Sequence, residues 1–223
     1  MAQYFVINAE NPQARLIKHS VEILREGGVI AYPTDSSYAL GCMLGFKDAQ
    51  DKIRQIRGLG DDHLFTLICR NLSELSVYAQ VDNAQFRLLK ANTPGAYTFV
   101  LKATRELPRR LQHPKRNEVG IRVPNHAVTQ ALLDELGEPL LSMTLQLPND
   151  DEPLNEAWEI REQLEHSVDL VIDSAISHAG LTTVIDLTDS SPVLIRQGIG
   201  DAAPFALWRL KRDDWKVTIK SNN

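Results

Sequence analysis

A chain of 223 residues that is 43% hydrophobic and 24% charged can bury one large core and is too apolar to remain disordered. Its formal net charge of −5 argues against general attraction to polyanions but leaves room for local basic patches. No apolar run approaches the roughly 18 residues of a membrane-spanning helix, and MAQYFVINAENPQ lacks the basic-then-apolar layout of a secretory leader, so the expectation is a cytoplasmic protein with no membrane partner.

In chain order, Leu16, Ile17, Val21 and Leu24 stand at helical spacing and predict a helix over 13–26, ended by Gly27 and Gly28. VIAYP predicts a strand that runs into the polar stretch TDSSY. Ala49, Ile53 and Ile56 predict the next helix, and LFTLIC at 64–69 a short strand. Asn71 with Glu74 three residues on is a capping-box-like start for a further helix. Strands are predicted over 97–103, 118–123, 139–145, 168–172, 182–188 and 192–196, with helices over 82–91, 126–136 and 156–165. Helix and strand alternate first and strands follow one another near the end, which predicts a mixed α/β (α+β) domain over 1–205, a sheet covered by helices. Residues 206–223 read as an appended polar tail. Cys42 and Cys69 are far apart in apolar surroundings and read as buried thiols; no metal site is predicted.

The stretch after VIAY poses the functional question. Pro33 ends a strand's hydrogen-bond ladder, and Thr34, Asp35, Ser36, Ser37 and Tyr38 then offer hydroxyls and a carboxylate. Ligands of α/β sheets gather at such strand ends, where they can meet an amino-acid or phosphate group. The same residue types also build ordinary capped turns. No Gly-x-Gly-x-x-Gly turn opens a helix, which sets aside a dinucleotide oxidoreductase.

YPTDSSYALGC, IRQIRGLGDDHLFTLICRNLSEL, PGAYTFVLKA, VGIRVPNH, PLLSMTLQLP and TTVIDLTDSSPVLIRQGIGD resemble, in order and spacing, the YrdC-like threonylcarbamoyl-AMP synthase family, and most of all its YciO branch. The resemblance runs from Ala14 to Asp201. It implies a twisted open mixed sheet with flanking helices and a large open cavity. It also implies a nucleotidyltransferase that makes L-threonylcarbamoyl-AMP and pyrophosphate from threonine, bicarbonate and ATP, a product used in tRNA threonylcarbamoyladenosine modification. Mg²⁺ is expected to arrive with ATP rather than in a protein cage. The alternative is a module that binds tRNA or double-stranded RNA without efficient catalysis.

Carried over residue by residue, the resemblance places Thr34, Ser36, Tyr38, Arg122, Ser142 and Thr182 beside threonine or a related small acid. It places Arg57, His63, Thr144, Thr183 and Arg196 beside ATP or AMP, and it assigns no side chain as an acid or base. A strand's period of two puts Ser142 and Thr144 on one face, with Leu141, Met143 and Leu145 on the other. The sequence departs from the family pattern at Leu59, where a cation is usual, at His63, which replaces a lysine, and at Leu145-Gln146, which replaces Ala-Asn. These departures imply weakened triphosphate handling. Finally, Lys102, Arg105, Arg109, Arg110, Lys115 and Arg116 form a basic stretch. Arg109, Arg110, Lys115 and Arg116 are its candidate RNA contacts, although the aromatic residues that stack unpaired bases are missing there.

Overall fold

The computed structural model describes residues 1–60, 63–111, 117–174, 180–189 and 191–205. The strands are β1 (Gln3–Val6), β2 (Ile30–Tyr32), β3 (Ala39–Met43), β4 (Thr66–Ile68), β5 (Tyr97–Lys102), β6 (Glu118–Arg122), β7 (Leu140–Thr144), β8 (Leu170–Asp173), β9 (Thr183–Asp186) and β10 (Val193–Arg196). The helices are α1 (Ala14–Arg25), α2 (Lys47–Arg57), α3 (Leu72–Tyr78), α4 (Asn83–Asn92), α5 (Ala127–Leu136) and α6 (Ala157–Leu164). Among the described residues the strands form one mixed sheet in the order β1-β8-β2-β3-β7-β4-β6-β5-β9-β10. Some neighbours are parallel (β1/β8, β2/β8, β4/β6, β5/β9) and the others antiparallel (β2/β3, β3/β7, β4/β7, β5/β6, β9/β10).

Local chemistry explains most of these elements. Asn71 caps α3 by accepting from the Glu74 backbone N–H at 3.0 Å, but the Glu74 carboxylate reaches back to the N–H of Arg70 rather than to that of Asn71. The reciprocal box is complete at α4, where Asp82 accepts from Ala84 and Gln85 and the Gln85 side chain accepts from Asp82 N–H, each at 2.8 Å. Gly58 ends α2 in the left-handed region at φ +62°, a conformation that glycine adopts without strain.

Two strands were not predicted. β1 is a short edge strand whose pattern of exposure does not alternate. β3, ALGCM, is built largely from small residues, including Gly41. Its partner β2 pairs Tyr32 with Ala39, so residues 33–38 are the loop of a hairpin in the middle of the sheet. The polar residues therefore connect two buried strands instead of following one. Gly41 is required because the Tyr32 ring lies across it: a Cβ there would sit 2.7 Å from a ring carbon.

The two faces of the sheet are covered differently. One carries the large core, in which Leu40, Cys42, Leu67, Phe99, Ile121, Leu141, Met143 and Ile185 pack with Ala49 and Ile53 of α2, Leu75 of α3, Leu89 of α4 and Ile160 of α6. On the other, α1 and α5 bring Val21, Leu24, Val128 and Leu132 onto Ile30, Tyr32, Ile68, Leu140 and Leu170. That second helical layer reaches no farther than β4. Beyond it the same face continues through Gly120 and Arg122 of β6, Thr98 and Val100 of β5, and Val184 of β9, as the strand registers require. The small cluster of Val100, Val184 and Ile195 there includes no helix residue.

Cys42 and Cys69 are buried and free; burial pushes the Cys42 thiol up to about 12, which makes it a poor nucleophile. Among the described residues no helix is long and apolar enough to cross a membrane. The tail at 206–223 lies outside the described residues.

Candidate functional site

The hairpin loop is fixed from both sides. Thr129 of α5 donates its hydroxyl to the carbonyl of Pro33 at 2.7 Å. Thr34 donates to the Ser37 carbonyl at 2.7 Å and accepts from the Ser36 backbone N–H at 3.1 Å, with the Ser36 hydroxyl also 3.1 Å away. The capped-turn reading of this stretch is therefore correct as local structure. The turn does more than close on itself, because its carboxylate pairs across the sheet.

Arg122, the last residue of β6, donates from Nη2 to Asp35 Oδ1 and, at 3.4 Å, to Thr34 Oγ1. The other Asp35 oxygen accepts from the backbone N–H of Asn125 at 3.0 Å. The two side chains are 7% and 11% exposed, so this ion pair is largely withdrawn from water. Arg122 Nε is buried and has no hydrogen-bond partner among the described residues.

From Arg122 the polar groups continue toward the far edge of the sheet. One residue beyond the Phe99–Ile121 pair, Thr98 stands beside Arg122, and its hydroxyl is 2.9 Å from that of Thr182. Arg196, at the end of β10, donates from Nε and Nη2 to the Thr182 carbonyl at 3.2 and 3.1 Å, and from Nη2 to the Thr182 hydroxyl at 3.3 Å. Burial lowers the pKa of Arg196. Ser36, Thr34, Asp35, Arg122, Thr98, Thr182 and Arg196 thus form one polar row across the face that α1 and α5 leave uncovered. Arg196 is no bare strand-end cation, since three hydrogen bonds tie it to Thr182.

Ser142 and Thr144 occupy the predicted common face, and Leu141, Met143 and Leu145 lie in the large core opposite. The Ser142 hydroxyl accepts from Tyr32 at 2.7 Å, while its own proton has no acceptor among the described residues. Burial pushes Tyr32 up to about 12, so it stays a hydrogen-bond donor at neutral pH. Thr144 pairs with Ala39 beside the hairpin loop. Gln146 turns its amide into its own loop, donating to the Asp150 carbonyl at 2.8 Å.

The strand period turns two of the named residues away from the polar row. Tyr38 is 2% exposed and packs in the large core with Leu40 and Cys42. Its hydroxyl meets the Ser174 backbone. Thr183 is wholly buried and lies one residue out of phase with Thr182; its hydroxyl donates to the Gly200 carbonyl at 2.5 Å and accepts from Gly198 N–H at 2.9 Å. Both hold loops in place and do not line the row.

Arg57 and His63 lie away from the hairpin, at the end of α2 and in the following turn. Arg57 is 6% exposed, has no hydrogen bond or ion pair among the described residues, and its Nε is orphaned. Burial lowers its pKa to about 10. His63 donates its backbone N–H to the Gly60 carbonyl at 3.1 Å. Leu59 packs against the large core, which explains why an apolar residue suits that position.

In the basic stretch Lys102, Arg105 and Arg109 are exposed. The Arg110 side chain and all of Lys115 and Arg116 lie outside the described residues. Surface depressions of about 560 Å³, lined in part by Gln3, Lys52 and Asp169, and about 510 Å³, lined in part by Asp82, Gln85 and Lys102, involve no member of the polar row.

Thr98 was not singled out from the sequence, and Asp35 was named only as one of the polar groups that follow VIAY. The alternation in YTFVLK carried the signal for Thr98, because it shares a phase with Val100 and therefore with Arg122.

Residues 22–198 match the Sua5/YciO/YrdC family model, described as telomere recombination. YciO of Escherichia coli K12 is 55% identical over 205 residues, covering 92% of this chain and all of that protein. The crystal structure of E. coli YciO superposes with a TM-score of 0.88 over the same shares. A threonylcarbamoyl-AMP synthase of Pyrococcus abyssi is 27% identical over 184 residues, 82% of this chain but 54% of that protein; the chain thus spans about half of this more distant relative. The structure of P. abyssi Sua5 complexed with L-threonine shares the fold, with a TM-score of 0.78 at 24% identity over 87% of this chain and 57% of that one. The chain belongs to the Sua5/YciO/YrdC family.

Proposed function

We propose that the chain is a threonylcarbamoyl-AMP synthase-like nucleotidyltransferase acting on L-threonine, bicarbonate and ATP with its Mg²⁺, with turnover held down by poor triphosphate handling. The observation that carries this reading is the polar row in which Arg122 stands beside Thr98 by strand register, the Thr98 hydroxyl meets that of Thr182, and Thr182 in turn accepts from Arg196. The threonylcarbamoyl-AMP synthases among its relatives support it.

The chemistry demands little acid–base catalysis. The threonine amine captures carbon dioxide as a carbamate; a carbamate oxygen then forms a bond to the α-phosphorus of ATP as the bond to pyrophosphate breaks. Charge grows on phosphate oxygens, so positioning and cationic donors dominate the rate. Thr34, Ser36, Arg122, Ser142 and Thr182 hold the amino acid in this reading, and Arg196, Thr144, Arg57 and His63 serve the nucleotide. Leu59 supplies no charge, and His63 stands where the family pattern has a lysine. The product would enter tRNA threonylcarbamoyladenosine modification in the cytoplasm.

Pyrophosphate release that requires ATP, threonine and bicarbonate together is the direct test. Its absence, with no threonine binding by calorimetry, would reject the reading. Arg196→Ala should weaken ATP binding about tenfold or more, as expected for loss of a charge-assisted contact. It should also lower stability by about 1–2 kcal/mol in urea unfolding through the lost bonds to Thr182. Unchanged ATP affinity would mean that the nucleotide side has been misplaced.

Exposed Lys102, Arg105 and Arg109 favour tRNA or double-stranded RNA binding as a second reading. Such binding should weaken as salt rises, and Arg109→Gln with Arg105→Gln should flatten that slope. Salt-independent binding, or none in a low-salt gel shift, returns the patch to a solvated surface.

A further inference from the structure

We infer that residues 215–220 add a further strand to the open edge of β10, turning Trp215, Val217 and Ile219 onto the sheet face that α1 and α5 leave uncovered. The docking surface is β10 with its apolar cluster, and the occupant is this chain's own tail. The inference is independent of the nucleotidyltransferase reading.

The edge and the face beside it are both open to such a strand. β10 ends the strand order and pairs with β9, and among the described residues no other backbone hydrogen bond reaches 193–196. The outer side of an edge strand is a row of unused N–H and C=O groups. On the uncovered face, Val100, Val184 and Ile195 are 0%, 6% and 8% exposed, yet their cluster includes no helix residue. Apolar burial that complete on a sheet face calls for a second layer.

The tail has the pattern, the reach and the charge to supply it. In WKVTIK, Trp215, Val217 and Ile219 alternate with Lys216, Thr218 and Lys220, which is the period of a half-buried strand. Trp, Val, Thr and Ile are also residue types that strands favour. Phe205 fixes the starting point: it is buried, with its ring centroid 5.6 Å from that of Tyr97 and 5.9 Å from that of Phe99 in β5. Residues 206–214 span up to about 30 Å when extended, whereas β5 and β10 lie two strand spacings apart, about 10 Å. Arg209, Lys211, Arg212, Lys216 and Lys220 outnumber Asp213 and Asp214 in the tail, although the whole chain has a formal net charge of −5. Tail and body therefore attract each other.

Tethering favours this occupant over a second copy. β10 is short, and its register shift between Leu194 and Arg196 is a bulge of the kind that blunts an edge against other chains. A segment joined to the same sheet by a short linker meets that edge at an effective concentration of about millimolar, so a brief ladder is enough to hold it.

Hydrogen exchange of the full chain, read by mass spectrometry, is the test. Amides in 193–196 and in 215–220 should both exchange slowly. Val217→Asp puts a charge on the apolar side and should speed exchange in both segments by about tenfold or more. Thr218→Asp, on the opposite side, should change neither by more than about threefold. Circular dichroism verifies that both variants fold. Fast exchange over 215–220 in the unaltered protein would overturn the inference, and so would equal effects of the two variants, since a strand distinguishes its sides. A Val217→Asp protein that frees 215–220 while 193–196 stay protected would also overturn it, because the tail would then dock elsewhere. Protection of 215–220 that fades on dilution would reject it as well, by giving the edge to the tail of a second copy.

Discussion

Arg122→Ala is expected to lower unfolding stability by about 3–5 kcal/mol, the range seen when one partner of a buried ion pair is removed, and to abolish detectable threonine binding. The guanidinium is the only cation that pairs with Asp35 among the described residues. Without it, the carboxylate keeps just the Asn125 N–H in a place with little water. Desolvating a charge is costly, and the lost Coulomb attraction no longer offsets it. Arg122→Lys should recover part of the stability but little of the binding, because an ammonium cannot present the planar fork. Removing both partners, as Arg122→Ala with Asp35→Ala, should be less destabilising than the arginine change alone. Urea unfolding of the three variants checks the scheme; a loss below about 1 kcal/mol for Arg122→Ala would show the pair to behave like a surface ion pair.

Arg57→Met should act in the opposite direction, stabilising the protein while weakening its hold on ATP. Burial holds the Arg57 pKa near 10, against an ordinary 12.5. The folded state therefore binds that proton less tightly than the unfolded chain does. The resulting penalty is fully present below pH 10 and fades only as pH rises from there toward 12.5. At neutral pH it amounts to about 3–4 kcal/mol, at about 1.4 kcal/mol for each tenfold weakening of proton binding. A methionine fills similar space without the charge, and such replacements of buried ions are commonly neutral to stabilising. Thermal unfolding with and without ATP separates the two effects: ATP should raise the midpoint of the unaltered protein more than that of the variant. A variant that melts lower than its parent without ATP would mean that Arg57 has a partner outside the described residues.

The parts of the fold that depend on near neighbours in sequence were legible. Asp82 and Gln85 mark a helix start, Gly27 and Gly28 mark an end, and the alternation of PLLSMTL assigned Ser142 and Met143 to opposite faces correctly. What depends on distant pairing was not. β3 is too small and glycine-bearing to announce itself, so nothing local showed that PTDSSY bridges two strands. The sheet's strand order then decides which side chains meet: Arg122 and Asp35 are far apart in the chain, and only the folded hairpin brings them together. Resemblance names Tyr38 and Thr183, which lie one residue out of phase with the polar row, and in a strand one residue is the difference between the two faces. Leu59, read as a missing cation, also serves the core, and burial of that kind cannot be inferred from a single loop position.

The ring of Tyr32 lying over Gly41 gives the site a mechanical dependency. Ser142 receives its hydrogen bond from a side chain anchored two strands away, and the clearance for that side chain is set by an atom that Gly41 lacks. A single methyl group at that position would tilt the ring, uncouple the two hydroxyls and change what Ser142 can offer a ligand, without adding or removing any charge or polar atom. The tuning of this surface thus extends to a residue that has no side chain of its own, and the smallest residue in the hairpin governs the reach of one of the largest.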